Sequence, residues 1–496
     1  MTKFITKIKH GGFYGKSMLL IGVLLTFPML IPIFYPKEAG YLHAFLIPAA
    51  FSILAGIFHC LIVPPKKEDT LEWRSSLQRG SLPVLFIWFY AFLAGAMPFV
   101  IGGQKTFILA LFETISGWTT VGLTVSYVET MPHIFLFYRS FMQFCGGIGF
   151  ILMFAMFTQG KQSMTLYVAE GHIDRLLPSL KRTTRVIILV YLGSLILGTL
   201  LYRVFGMGWF DAVCHTMSAI STAGFSTQID SIGAYGSAPI ELITICFMLI
   251  GSTNFAVLFY VIQRKFSHFP VVSEIRFLAV ILVIFVPLCA FSLVKGMGLD
   301  IGEAFLGASF GLVTAFSTTG YSTMDYTKWP PFAMGIMLIL MLTGGGMGST
   351  AGGIKLLRVY LLIRIAWENV RAKMLPIRYV RVATYHTVQG RVPIDDALIK
   401  DLTGFFACYI LIFIVGALLI TLTSGEGLFE SMFEFASAFA TVGVSNGITS
   451  AYASRGTLIV LMAGMVLGRL EMFIVFIGIY SGGKAISGWF FLKKKI

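Results

Sequence analysis

The sequence predicts an all-α integral membrane protein with ten transmembrane helices, and three observations carry that prediction. Hydrophobic residues make up 57% of the chain and charged residues only 12%, against about 25% charged in an ordinary soluble domain. Apolar runs long enough to cross a ~30 Å hydrocarbon layer, about 20 residues each, recur from end to end. One short polar setting around a glycine also returns four times: WTTVGLTV at Gly122, ISTAGFST at Gly224, FSTTGYST at Gly320 and FATVGVSN at Gly443.

Taken in order, the runs are Met18 to Tyr35, Leu42 to Val63, Leu82 to Ile101, Ile134 to Thr158, Val186 to Phe205, Ile240 to Ile262, Phe277 to Val294, Phe332 to Ile365 with an interruption, Leu402 to Leu422, and Leu458 to Phe491. The first contains Pro28 and Pro32 and lacks a small-residue cleavage site, so it is expected to stay as a helix rather than leave as a signal peptide. The first two runs precede any glycine motif and form an extra amino-terminal hairpin.

A net charge of +14 would suggest nucleic acid in a soluble protein. Here 26 of 37 basic residues fall in alternate loops, beginning with Lys3, Lys7, Lys9 and Lys16, then Lys66, Lys67, Arg74 and Arg79, then Lys161, Arg175, Lys181, Arg182 and Arg185. The same side continues with Arg264, Lys265 and Arg276, then Arg364 to Lys400, and ends at Lys493 to Lys495. The positive-inside rule makes that side cytoplasmic, with both termini inside. Charge is thus a topology signal, and no nucleic-acid partner is expected. The six cysteines show no close pair or metal spacing, the eight histidines are scattered, and no nucleophile stands beside a base. Neither a catalytic centre nor a cofactor is expected.

The four motifs share their offsets. A threonine stands two residues before each glycine (Thr120, Thr222, Thr318, Thr441), a hydroxyl two after (Thr124, Ser226, Ser322, Ser445) and another six before (Ser116, Ser218, Thr314, Ser437). The glycines are 102, 96 and 123 residues apart (224−122, 320−224, 443−320), room for two crossings and a loop. This is an internal repeat. Before Gly122 the stretch TFILALFETISGW gives a helix of only ~20 Å at 1.5 Å per residue, which enters a membrane without crossing it. Acids near the outer starts of such segments, Asp211, Glu303 and Glu430, suit the positive helix end, and simple solvation explains them equally well. Gly147, Gly345 and Gly468 each follow their motif glycine by 25 residues, and Gly251 by 27, so the repeat extends into the next helix. The expected organisation is a hairpin over 1–80 and four span/pore-helix/span repeats over 81–183, 184–273, 274–399 and 400–496, pseudo-symmetric around one ion pore.

Non-helical backbone at membrane depth survives only where it is buried in protein or lines a cavity. Four such strands on one axis suit a dehydrated monovalent cation, whose water is replaced by backbone carbonyls. The expected ion-binding residues are Thr120, Val121, Gly122 and Leu123; Thr222, Ala223, Gly224 and Phe225; Thr318, Thr319, Gly320 and Tyr321; and Thr441, Val442, Gly443 and Val444. Glycine leaves positive φ accessible, and carbonyl ends of the half-helices turn a negative dipole toward the ion.

These motifs, STAGFST and STTGYST above all, resemble the Trk/Ktr/HKT superfamily of potassium transport proteins over nearly the whole chain. The amino-terminal hairpin makes the chain most similar to the bacterial TrkH-type branch. Glycine at all four filter positions, where sodium-admitting relatives often carry serine first, implies potassium selectivity. The resemblance further implies a homodimer with one pore per protomer, a cytosolic nucleotide-binding regulatory subunit of the TrkA type, and a prokaryotic plasma membrane.

In the third repeat TGGGMGSTAGGIK places Gly344, Gly345, Gly346, Gly348, Ser349, Gly352, Gly353 and Lys355 in an otherwise apolar run. Each glycine costs ~1 kcal/mol in a helix, so this stretch should unwind. The resemblance makes it an intramembrane gate. A packing break without a gating role is the competing reading, and a phosphate loop is disfavoured because no GKS or GKT ending is present. The glycine break is expected in this repeat alone. Arg469, in GRLE, lies mid-membrane where an arginine costs ~2.5–3.5 kcal/mol and faces a cavity or a partner. In similar proteins it points into the pore; a salt bridge to Glu471 or another intramembrane acid is the alternative, although residues two apart on a helix do not face each other. Asn254 reads as a helix-helix hydrogen-bond residue. The functional expectation is potassium uptake; a proton- or sodium-coupled symporter and, more remotely, a membrane enzyme acting on a phosphorylated lipid are the alternatives.

Overall fold

The computed structural model describes residues 12–63, 73–150, 153, 180–265, 270–374, 383–387 and 390–493. Several of the basic residues that set the expected topology, among them Lys3, Lys7, Lys9, Lys66, Lys67, Lys161, Arg175, Arg378, Arg381, Lys494 and Lys495, lie outside the described residues, as does most of the run beyond Phe150.

The chain opens with α1 (Phe13–Leu24), a 3-10 continuation over Phe27–Ile33 where Pro28 and Pro32 remove helix donors, and α2 (Leu42–Ile62). Next come α3 (Trp73–Ile101), α4 (Phe107–Trp118), α5 (His133–Ile148), α6 (Leu180–Val204), α7 (Trp209–Ile220), α8 (Ala238–Ser252) and α9 (Phe255–Ile262). The third repeat holds α10 (Ser273–Met297), α11 (Ile301–Phe316), α12 (Pro331–Thr343) and α13 (Leu356–Met374). A hairpin of β1 (Thr384–Thr387) and β2 (Gly390–Pro393), antiparallel with Tyr385 opposite Val392, leads to α14 (Asp396–Ser424), α15 (Leu428–Phe439), α16 (Arg455–Arg469) and α17 (Met472–Lys493). The hairpin is a small departure from an all-helical chain.

Six described helical segments are long and apolar enough to cross a membrane, or eight if each bent pair counts as one span, against ten expected. The protein is a multi-pass membrane protein. The four half-helices α4, α7, α11 and α15 run 12, 12, 16 and 12 residues, ~18–24 Å at 1.5 Å per residue and so too short to cross ~30 Å.

The reading of the other inner runs as uninterrupted is corrected. In the second repeat α8 and α9 meet at 110° across Thr253 and Asn254, so Ile240 to Ile262 is not one straight span. Asn254 is the N-cap of α9, accepting from Ala256 N–H at 2.8 Å, rather than a helix-helix bridge. In the fourth repeat the helix stops at Arg469 and resumes at Met472 across Glu471, whose φ is +52°. In the first, α5 ends at Gly149 with φ +86°.

The chain divides into two compact units. One comprises Met1–Thr119, Thr124–Leu192 and Arg469–Ile496; the other comprises Thr120–Leu123 and Gly193–Gly468. In the first, α1 and α2 pack backbone to backbone. A Cβ on Gly15 would meet Gly56 O at 2.9 Å, and one on Gly56 would meet Gly15 O at 2.7 Å, the small-residue contact that lets membrane helices approach closely. The outward face of α2 bares Phe51, Leu54 and Phe58, as lipid contact requires. In the second unit α10 and α14 do likewise with Val283, Phe291 and Leu422.

Candidate ion pathway

Each half-helix of the second unit ends in the same hydrogen-bonded turn. In α7 Thr222 N–H donates to Ala219 O at 3.1 Å and Ala223 N–H to Ser218 O at 3.0 Å; the same two bonds recur at Thr318 and Thr319 after α11, and at Thr441 and Val442 after α15. This is the Schellman closure, which puts one residue in the left-handed conformation, usually glycine. Here it is threonine, with φ of +50° to +57° at Thr120, Thr222, Thr318 and Thr441. A β-branched residue there carries strain of about 1–3 kcal/mol. Four copies of the same strained threonine show that neighbouring structure holds this turn in place. The motif glycines follow at φ +91°, +76°, +83° and +94°.

The four strands close a ring. A side chain on Gly122 would overlap Ala223 O, one on Gly224 would overlap Thr319 O, one on Gly320 would overlap Val442 O, and one on Gly443 would overlap Val121 O. Each strand therefore leans on the next in chain order and the last returns to the first. Glycine is required twice over, for its φ and for the space that the neighbouring carbonyl fills.

Glycine also admits the inner helices. A Cβ on Gly251 would overlap or crowd Ile220 O at 2.5 Å, and one on Gly468 would overlap Phe439 O, each the last residue of its half-helix. In the first repeat the equivalent contact, on Trp118 O, is made by Gly146, not by Gly147 as the 25-residue spacing suggested. In the third, Gly345 packs instead against Ala351 and Ser252, because α12 has already ended.

From Gly344 to Lys355 the chain is a folded loop, unwound as the glycines predicted. It docks on the inner threonines of the ring. Gly352 N–H donates to Thr318 Oγ1 at 2.8 Å, Thr350 Oγ1 lies 2.9 Å from Thr222 Oγ1, and Gly352 abuts Thr441 Oγ1. Other bonds tie it to the break of the second repeat: Gly346 N–H to Ser252 O at 2.8 Å, Thr350 Oγ1 to Gly251 O at 2.9 Å, and Phe255 N–H to Gly348 O at 3.2 Å. Met347 N–H donates to Glu274 Oε1 at 2.8 Å. Gly344 and Gly353 approach backbone to backbone; Ser349 Oγ donates to Gly346 O, and Lys355, at φ +81°, turns its ammonium back onto Ala351 O. Thr350, Ser252 and Glu274 were not singled out by sequence, because each is an ordinary polar residue until the loop folds onto it.

Behind the strands lies a second constellation that the motifs concealed. Nine residues before the filter glycines stand Glu113, His215, Gly311 and Glu434 (122−9, 224−9, 320−9, 443−9). In three repeats this residue bonds the hydroxyl two after the glycine: Thr124 Oγ1 donates to Glu113 Oε1 at 2.8 Å, Ser226 Oγ pairs with His215 Nε2 at 2.9 Å, and Ser445 Oγ donates to Glu434 Oε1 at 2.9 Å. The glutamates also take the next amide, Val125 N–H at 3.1 Å and Asn446 N–H at 3.0 Å. In the third repeat the vacancy at Gly311 is filled by the Trp329 ring. The recurring position was hidden because its residue type changes from copy to copy.

In the first unit Glu113 is fully buried and paired with buried Arg139, Nε to Oε1 at 2.7 Å. Arg139 also reaches Thr124 Oγ1 at 3.0 Å. Arg469 in this unit donates to the carbonyls of Gly146 and Gly147 at the end of α5, the negative end of a helix dipole. Among the described residues no group of three or more His, Cys, Asp or Glu is arranged to hold a metal ion.

Short half-helices, each turned back by a strained strand, with the strands closed into one ring, define a pore-loop membrane protein with four copies in a single chain. The chain belongs to the TrkH family of cation transport proteins, which it matches over residues 94–480. It is 28% identical over 474 residues to the Trk system potassium uptake protein TrkH of Halomonas elongata, covering 93% of this chain and 96% of that one. It is 30% identical over 471 residues to the Trk system potassium uptake protein TrkG of Escherichia coli K12, covering 92% and 94%. The crystal structure of the potassium transporter TrkH from Vibrio parahaemolyticus superposes with a TM-score of 0.82 at 27% identity, covering 95% of this chain and 97% of that one. Membership in this family makes the chain a transporter and not an enzyme.

Proposed function

We propose that this chain takes up potassium across the plasma membrane of a prokaryote. Four repeats, over 81–183, 184–273, 274–399 and 400–496, supply one ion pore, with the hairpin of 1–80 outside it. The observation that carries this reading is the closed ring of Gly122, Gly224, Gly320 and Gly443 with the carbonyls of Ala223, Thr319, Val442 and Val121. Carbonyls of Thr120 to Leu123, Thr222 to Phe225, Thr318 to Tyr321 and Thr441 to Val444 replace the ion's water, and the half-helix carbonyl ends add a field that favours a cation. The similarity to proteins named for potassium uptake supplies the ion's identity.

Control falls to the Gly344–Lys355 loop, with Arg469 a second barrier. Both termini are cytoplasmic, the basic loops receive a nucleotide-binding regulatory subunit of the TrkA type, and two copies form a homodimer with a pore each. The membrane potential drives uptake, at ~2.3 kcal/mol per charge per 100 mV.

The test is rubidium and potassium influx into proteoliposomes of the purified chain at a fixed potential, with and without a proton gradient. Saturable flux that excludes sodium and ignores the proton gradient is expected. Flux that requires the gradient makes the protein a symporter, and absence of any cation flux removes the reading.

A further inference from the structure

The position nine residues ahead of each filter glycine is unused by conduction as described, yet it is buried in every repeat and in three of them bonds the same point of its strand. We propose that it is a positioning residue for the outer half of the strand, and that Glu434 is the one on which rejection of sodium most depends. This rests on the ring of strands being the ion filter.

The four copies brace their strands with unequal redundancy. Beside Glu113, Arg139 binds Thr124 directly, so that strand has two holders. Beside His215, the Tyr321 hydroxyl donates to His215 O at 3.0 Å and reaches Phe225 O at 3.4 Å. Gly311 has no side chain, and its place is taken by a packed indole. In the fourth repeat one carboxylate takes most of the loop's donors, beside Asn446 Nδ2 on Glu430 O at 2.7 Å and Gly443 N–H on Ser437 Oγ at 3.0 Å. Glu434 accepts from Ser445 Oγ, Asn446 N–H at 3.0 Å, Thr449 N–H at 3.1 Å and the Thr449 hydroxyl. Among the described residues no Lys, Arg or His shares it.

Those donors all lie on the loop that leaves Gly443 for the outer face, so Glu434 anchors it from behind, wholly buried. Rejection of the smaller sodium ion requires that strand carbonyls keep their number and field around the ion rather than close upon it. A strand freed at its outer end can close. Because, among the described residues, no cation or second side chain backs that carboxylate on Ser445, its release should cost the most selectivity.

The experiment measures rubidium against sodium influx in proteoliposomes, at matched protein amount, for Glu434→Ala, Glu434→Gln, Ser445→Ala and the double Glu434→Ala/Ser445→Ala. Glu434→Ala should lower the rubidium-to-sodium ratio about tenfold. Ser445→Ala, removing the hydroxyl that donates to Glu434 and accepts from Gly447 N–H, should lower it about threefold. Glu434→Gln should fall between, because its amide nitrogen cannot accept from the loop. The double variant should be no worse than Glu434→Ala alone. An unchanged ratio in Glu434→Ala, or equal loss of both ions, overturns the proposal. If Glu434→Ala does not assemble, Ser445→Ala decides alone: a lowered ratio supports the anchor and an unchanged one overturns it. A wild-type chain without preference for rubidium would sink the filter reading instead.

Discussion

Replacing Gly352 by alanine should open the proposed gate while leaving the ring intact. Gly352 is not among the residues with positive φ, so alanine meets no backbone penalty, and the effect is steric alone. Its Cβ would overlap Thr441 Oγ1 and Ala440 O. Ala440 caps α15 and its neighbours are buried, so the loop rather than the half-helix must retreat, by roughly an ångström. That movement stretches the 2.8 Å bond from Gly352 N–H to Thr318. Overpacking of this size costs about 2 kcal/mol, which corresponds to about a thirtyfold shift from docked to undocked loop. Initial rubidium influx into proteoliposomes should rise until the open fraction saturates, with the rubidium-to-sodium ratio unchanged. Gly335→Ala on α12, where a Cβ meets nothing within 4 Å, is the control. Unchanged flux at normal protein amount would refute a barrier at the loop. Faster flux with a collapsed ratio would show that the ring, not the loop, had moved.

Gly122→Ser places a side chain on Ala223 O at a φ of +91°, and should raise sodium permeation; unaltered selectivity would take the first strand out of the filter. Arg469→Ala should speed rubidium flux if the arginine is a barrier, whereas unaltered flux with a lower melting temperature would confine it to holding the end of α5. Arg139→Met strands the buried Glu113 without its cation, at a cost of about 3–5 kcal/mol. Its thermal midpoint in detergent should fall well below that of the wild type, and Glu113→Gln in the same chain should restore part of it.

Much of the ring was legible in the sequence because its demands are backbone demands. Only glycine satisfies a positive φ beside a neighbour's carbonyl, so identity was retained at Gly122, Gly224, Gly320 and Gly443 in all four copies. The unwinding at Gly344 to Lys355 was legible for the same reason, since six glycines cannot hold a helix. The breaks after Ser252 and Arg469 were not. Thr253, Asn254 and Glu471 are compatible with a helix locally, and what bends the chain at Asn254 is the loop of another repeat, through Phe255 N–H to Gly348 O. The brace at Glu113, His215, Gly311 and Glu434 escaped because its requirement is a filled space and a partner for one hydroxyl. A carboxylate, an imidazole or a borrowed indole each meets it. The left-handed backbone of the threonines is a property of the helix end that no side-chain pattern announces.

The circular order of the ring bears on how the protein is made. Gly443 leans on Val121, so the contact that closes the circle joins the first strand to one synthesised 321 residues later (443−122 for the two glycines). At ~5–20 residues per second, about 15–60 s separate the two. Throughout that interval the nascent chain sits in the bilayer as an unfinished circle, with polar backbone awaiting a partner not yet translated. Truncation before the fourth repeat would leave at most three strands and an open flank rather than a smaller pore. Completeness of the ring thus has a simple structural criterion: whether the last strand has reached the first.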